Sequence, residues 1–161
     1  MYINVAQLLK ENIGFKRTIQ IDESNINDSI KHVEGSLFLT KTECSILAEG
    51  KLTATVSGTC NRCLSQCAYN IDFDFAEEFF QEEGIKSNTY LTGNSEPFTI
   101  DRHHDIDISD AITQYVSLAT PMKLLCRPDC AGICSRCGQN RNEGNCSCEA
   151  ESLKQPKIKS K

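Results

Sequence analysis

No stretch of this chain is long and apolar enough to cross a membrane. A span needs roughly 20 mostly apolar residues, and the least charged stretches, residues 53–61 and 108–122, are polar or too short. The N-terminal segment is broken by Asn4, Gln7 and Lys10 and lacks the basic start, apolar run and small-residue cleavage site of an export signal. A cytoplasmic location without membrane contact is expected. Catalytic signatures are missing as well: there is no His-Glu-x-x-His, no phosphate-cradling glycine loop and no nucleophile elbow. His103-His104-Asp105 precedes no Pro-Cys-x-x-Cys, the companion element in zinc deaminases, and both histidines read as exposed loop residues. The acidic group Asp72, Asp74, Glu77, Glu78, Glu82 and Glu83 begins in alternation with aromatics, so it reads as the solvated face of a strand. No enzyme is expected.

What is present is a chain of 161 residues, a one-domain length, with 39% hydrophobic and 24% charged residues. That composition supports a packed core rather than wholesale disorder. The net charge of −5 argues against a generic nucleic-acid binder, but it is unevenly spread. Residues 123–161 carry eight Lys or Arg and four acids, a balance of +4, against −9 for residues 1–122. A zinc ion held by four thiolates carries about −2 overall and trims that surplus. The basic end is still the face suited to a polyanion.

Residues 5–9 read as a helical turn and residues 15–21 alternate as a half-buried strand does. Residues 22–28, rich in Asp, Asn and Ser, read as a loop. Strand signals return over 35–40, 44–48 and 52–56, with Glu49-Gly50 as a tight reversal between the last two. Tyr69, Ile71, Phe73 and Phe75 share one face of a further strand, completing an antiparallel meander. Residues 82–96 read as a loop. The best helix lies within 105–122, with Ser109 as its cap, Asp110 at its positive end, and Pro121 ending it near Ala119.

Ten cysteines are the unusual number. Cys126, Cys130, Cys134, Cys137, Cys146 and Cys148 crowd a segment too polar to build an apolar core. Zinc takes four ligands tetrahedrally with Zn–S near 2.3 Å, which needs sulfurs gathered by tight turns. Cys134-x-x-Cys137-Gly138 offers such a turn, since glycine accepts the positive φ that a knuckle commonly needs. Cys146-x-Cys148 supplies the second pair, making Cys134, Cys137, Cys146 and Cys148 the first zinc site. Cys126-x-x-x-Cys130 and Cys60-x-x-Cys63 remain as a possible second site; a single site drawing on Cys126 or Cys130 is also open. Disulfides do not suit an unexported chain, and a redox dithiol needs a βαβ context that neither Cys-x-x-Cys has. Cys44 and Cys67 read as ordinary small apolar residues. The expected class is α+β: an antiparallel β-rich body with one main helix over 1–125, a cysteine-rich zinc module over 126–150, and a basic flexible tail over 151–161.

Two separated blocks stand out. One is Gly58-Thr-Cys60-Asn-Arg-Cys63-Leu64, followed by the 69–75 strand and Glu77-Glu78-Phe79. The other runs from Leu118-Ala-Thr-Pro121 through Cys126, Cys130-Ala-Gly-Ile-Cys134 and Cys137-Gly-Gln-Asn140-Arg-Asn142 to Cys146-Ser-Cys148. Together they resemble the YceD-like family, the large ribosomal RNA subunit accumulation proteins. Ile133, Ser135 and Arg141 depart from the family pattern, which usually has Leu, Pro and an Asn-Leu-Asn run there, but every cysteine of the pattern is present. The resemblance implies a role in accumulation of large-subunit ribosomal RNA and assembly of the large ribosomal subunit, without catalysis. Its expected partner is that RNA or a precursor particle. Arg127, Arg136 and Arg141 are the expected phosphate contacts, and Asn140 and Asn142 the hydrogen-bonding contacts to unpaired RNA. The alternative is a zinc-stabilised module that holds a ribosomal protein.

Overall fold

The computed structural model describes residues 1–81 and 97–148. The loop read over 82–96, with Glu82 and Glu83, and the tail over 151–161 lie outside the described residues. Two compact units are distinguishable. The first comprises Met1–Val56 and Asn70–Thr120; the second comprises Ser57–Tyr69 and the chain from Pro121 onward. This grouping differs from the division at residue 125 read from composition, because residues 57–69 cluster with the later cysteines.

The elements are β1 (Tyr2–Asn4), α1 (Ala6–Leu9), β2 (Lys16–Ser24), β3 (Ile30–Lys41), β4 (Ser45–Thr59), β5 (Gln66–Gln81), β6 (Thr99–Ile100), β7 (Asp105–Asp107) and α2 (Ser109–Ala119). They form one seven-stranded sheet in the order β1-β7-β6-β5-β4-β3-β2. β2 and β3, β3 and β4, β6 and β7, and β1 and β7 pair antiparallel. The expected antiparallel β-rich body is matched in part: β5 and β6 pair parallel, so the sheet is mixed. It curls until its edge strands β1 and β2 line a common cleft, where Arg17 Nη1 donates to Asn4 O at 3.4 Å. Among the described residues α2 is the one helix longer than a turn, and no helix is long and apolar enough to cross a membrane.

Period-two alternation builds the core. Val33, Leu37 and Leu39 of β3, Ile46, Ala48, Leu52, Ala54 and Val56 of β4, and Ile71, Phe73, Phe75 and Phe79 of β5 are buried. Ile30 breaks the parity of β3, and a register shift between Ile30 and His32 absorbs the break. On the other face of β5, Asp72 accepts from Thr53 Oγ1 at 2.8 Å and Asp74 lies 3.7 Å from Lys51 Nζ, as expected of a solvated strand face. Tyr115 of α2 stacks against Phe75 with ring centres 5.1 Å apart and donates to Ala76 O.

Two local expectations are corrected. Glu49-Gly50 is not a reversal but lies inside β4. Gly50 passes so close to β3 that a Cβ there would stand 2.0 Å from Ser36 O, and one on Gly35 would stand 2.3 Å from Lys51 O. These glycines serve strand contact, and the reversal falls at residues 42–45, where Thr42 N donates to Ser45 O and Ser45 N to Thr42 Oγ1. Ser109 does not cap α2: Ile108 holds the cap position without a side-chain bond, and Asp107 Oδ1 accepts from Ser109 N at 2.9 Å. At the other end Thr120 is extended, with ψ of 122°, as a residue before proline prefers.

Candidate metal centres

Within the second unit, β4 and β5 are joined by a six-residue turn from Cys60 to Ser65. Cys60 N donates to Ser65 O at 2.9 Å and Leu64 N to Cys60 O at 2.9 Å. Leu64 takes a left-handed φ of 59° to close it. The turn over residues 134–139 has the same bonds: Cys134 N to Gln139 O at 2.8 Å and Gly138 N to Cys134 O at 2.9 Å, with Gly138 at φ 75°. In each turn the backbone N–H groups of the third and fourth residues point at the first cysteine's sulfur. The chain thus contains one knuckle twice.

The chain after α2 brings further cysteines to the first knuckle. Asn61 N donates to Leu124 O at 2.8 Å and Asn61 Nδ2 to Met122 O at 3.4 Å, fixing residues 122–124 beside the hairpin tip. Leu124 needs the space above Gly58, where a Cβ would lie 2.8 Å from its Cδ1. Cys126 and Cys130 follow, on a turn in which Cys130 N donates to Arg127 O. Cys60, Cys63, Cys126 and Cys130 form one set of four, the hairpin set; Cys134, Cys137, Cys146 and Cys148 form another, the loop set. Within each set all four sulfurs lie within 4.8 Å of one another.

The spacing selects a kind of ligand. Cys60 Sγ and Cys130 Sγ are 3.7 Å apart, and Cys63 Sγ and Cys126 Sγ 3.6 Å. These distances exceed a disulfide bond of about 2.05 Å. They approach the edge of roughly 3.8 Å that a tetrahedron with 2.3 Å metal–sulfur bonds requires. A single ion suits such a cage. The electrostatics of the thiols agree with the geometry: burial pushes the Cys60 thiol up, but the N–H groups of Cys63, Cys126 and Arg62 outweigh it and hold the thiol down to about 6. The N–H groups of Cys137 and Arg136 likewise hold Cys134 at about 6. Burial and the neighbouring thiols push Cys126 up to about 12, and Cys148, beside Cys137, is also raised to about 12. Ser65 also holds the Cys63 thiol down, and Cys134 pushes Cys146 up, so each set contains at least one ready thiolate and at least one thiol that resists ionising beside it, until a cation supplies the missing positive charge.

Cys67, read as an ordinary apolar residue, packs against Cys60, Cys63 and Cys130, with its Sγ 3.5 Å from Gly58 O. Cys44 lies half-buried in the turn between β3 and β4 and joins neither set. Of the residues read as RNA contacts, Arg136 and Arg141 are exposed. Arg127 is exposed but bonded, its Nη2 donating to Asn142 Oδ1 at 2.8 Å and its Nε lying 3.4 Å from Asp129. Asn140 Nδ2 donates to Ser65 Oγ and Glu143 Oε1, and Asn142 Nδ2 to Cys130 Sγ and Asn140 Oδ1. Sequence reasoning missed Arg62, which occupies in the first knuckle the position Arg136 holds in the second. The repeated Cys-x-Arg-Cys was the available signal.

A chain with a curled mixed sheet and two four-cysteine sets, each able to hold a metal ion, defines the class of protein. The family model of the large ribosomal RNA subunit accumulation protein YceD matches residues 48–158, and the chain belongs to that family. Three curated relatives are uncharacterized mycobacterial proteins: Mb2951c of Mycobacterium bovis (strain ATCC BAA-935 / AF2122/97), and MT2996 and Rv2926c of Mycobacterium tuberculosis strains CDC 1551 / Oshkosh and ATCC 25618 / H37Rv. Each is 32% identical over 95 residues, covering 58% of this chain and 44% of the relative, so the match takes in less than half of each relative's length. No solved structure is a significant match. The family's description refers to accumulation of the large ribosomal RNA subunit.

Proposed function

We propose that this protein is a non-enzymatic, cytoplasmic assembly factor that binds large-subunit ribosomal RNA or a precursor particle through its cysteine-bearing unit, with one zinc ion in each four-cysteine set. Four soft thiolates in tetrahedral reach are the donor set zinc takes in structural sites, where it supplies folding energy to segments with little core.

The observation that carries the RNA reading is the pair of knuckle arginines. Arg62 and Arg136 hold the same place in two copies of one turn, and both are exposed. Lys123 and Arg141 add further exposed cations to the same unit. Arg127, Asn140 and Asn142 also make hydrogen bonds within the unit. Each phosphate contact with single-stranded RNA contributes about 0.7 to the slope of log affinity against log salt. Replacing Arg62 and Arg136 with alanine is expected to weaken binding to large-subunit RNA and flatten that slope by about 1.4, with zinc content unchanged. An unchanged slope would overturn the assignment.

A second reading has its own observation. Leu64 is 62% exposed and Met122 98% exposed in the same unit, which suits contact with a ribosomal protein. Binding to purified large-subunit proteins but not to RNA would favour it.

A further inference from the structure

Asn142 lies in the loop set's own segment, between Cys137 and Cys146, yet its side chain reaches the other set. Its Nδ2 stands 3.3 Å from Cys130 Sγ. The orientation of the amide is fixed by its partners. Oδ1 accepts from the backbone N–H of Ala131 at 2.8 Å and from Arg127 Nη2 at 2.8 Å, and neither group can accept in return. The NH2 must then face Cys130 Sγ and Asn140 Oδ1. Asn140 is fixed in the same way, because its Oδ1 also accepts from Asn142 N at 3.0 Å. Residues 131–142 form a strip folded back on itself, with Ile133 bridged antiparallel to Asn140 and Arg141 N donating to Gly132 O, and it is bound to the first knuckle at two more points: Asn140 Nδ2 to Ser65 Oγ and Ile133 N to Arg62 O.

We infer that Asn142 is a positioning residue that couples the two metal centres: an ion in the loop set orders the strip, the strip holds the Asn142 amide on the Cys130 thiolate, and the hairpin set then binds its own ion more tightly. The inference rests on the metal reading of both sets. An N–H directed at a coordinated thiolate draws off negative charge and fixes the sulfur's direction, and outer partners of this kind are typically worth 10–100-fold in metal affinity. Linkage makes the effect reciprocal, so an ion in the hairpin set strengthens the loop set by the same factor.

The test is a double-mutant cycle on the full chain, with zinc affinity of the hairpin set as the readout. Its corners are wild type, Cys146→Ser with Cys148→Ser to disable the loop set, Asn142→Ala, and all three changes together. Disabling the loop set is expected to weaken hairpin-set binding about tenfold in the wild-type background. With Asn142→Ala already present, it should weaken binding by no more than about twofold. Cobalt in the hairpin set gives a second readout that loss of folding alone does not produce. Its sulfur-to-metal charge-transfer band should move to longer wavelength in Asn142→Ala, and in Asn142→Asp, which keeps the acceptor oxygen but loses the N–H. Equal losses in both backgrounds, no loss in the wild-type background, or an unmoved band would each overturn the coupling while the metal reading stands. A wild-type hairpin set that takes up neither zinc nor cobalt would overturn both.

Discussion

Leu64 and Gly138 occupy the same position in two copies of one turn, each donating its N–H to the first cysteine of its knuckle at 2.9 Å with φ in the left-handed region. Glycine takes that conformation without cost, whereas an L-residue pays roughly 1–2 kcal/mol. Leu64 is largely exposed, so core burial does not account for its choice.

Leu64→Gly is therefore expected to stabilise the metal-loaded chain by about 0.5–1 kcal/mol, the strain relieved less the extra freedom glycine gives the unfolded chain. Gly138→Ala should cost about 1 kcal/mol. A Cβ there meets nothing within 4 Å, so the loss isolates the backbone term. Denaturant titration of the two variants checks both signs.

Gly50→Ala should be far more costly. The added methyl group would lie 2.0 Å from a backbone oxygen of the neighbouring strand. Forcing β3 and β4 apart is expected to cost about 2 kcal/mol or more, read as a lowered midpoint in thermal unfolding. A neutral result would contradict the close approach of Gly50 to β3.

Metal affinity should weaken in acid, because thiol protons compete with the ion. Above pH 6 the Cys60 and Cys134 thiols, held down to about 6, have already lost their protons, while Cys126 and Cys148, at about 12, release theirs only to the metal. Below pH 6 each set has at least one more proton to displace. The plot of log affinity against pH should therefore steepen by about one unit per pH unit on crossing 6. Chelator competition from pH 5 to 8 measures this.

Cys137→Ser should remove the loop set's ion and disorder residues 131–148, since structural zinc supplies roughly 10–16 kcal/mol of apparent binding energy in small modules. The strands of the first unit, held by Leu37, Ile46, Phe75 and their neighbours, should persist. Amide spectra of the variant separate the two regions.

The cysteine spacing was the most legible part of the sequence, because tight turns and tetrahedral ligation leave few arrangements for Cys-x-x-Cys and Cys-x-Cys. The 69–75 alternation was legible for a similar reason: a half-buried strand has a period of two and little freedom. Gly50 was misread because glycine serves both turns and close strand contacts, and only the partner strand distinguishes them. The parallel pairing of β5 with β6 depends on residues far apart in sequence, where local pattern carries no signal. The bonds of Asn140 and Asn142 to Ser65, Ala131 and Cys130 were not legible, because an amide's partners are set by residues that only the fold brings together. Leu64 hid the repeat by standing where the second knuckle has glycine.

The most direct measurement is the metal content of the full chain purified without oxygen, read by native mass spectrometry. Two four-cysteine sets predict two divalent ions per chain, reduced to one by Cys137→Ser and to one by Cys63→Ser. A wild-type chain carrying one ion or none, with the thiols of both sets open to alkylation, would contradict the two-centre account.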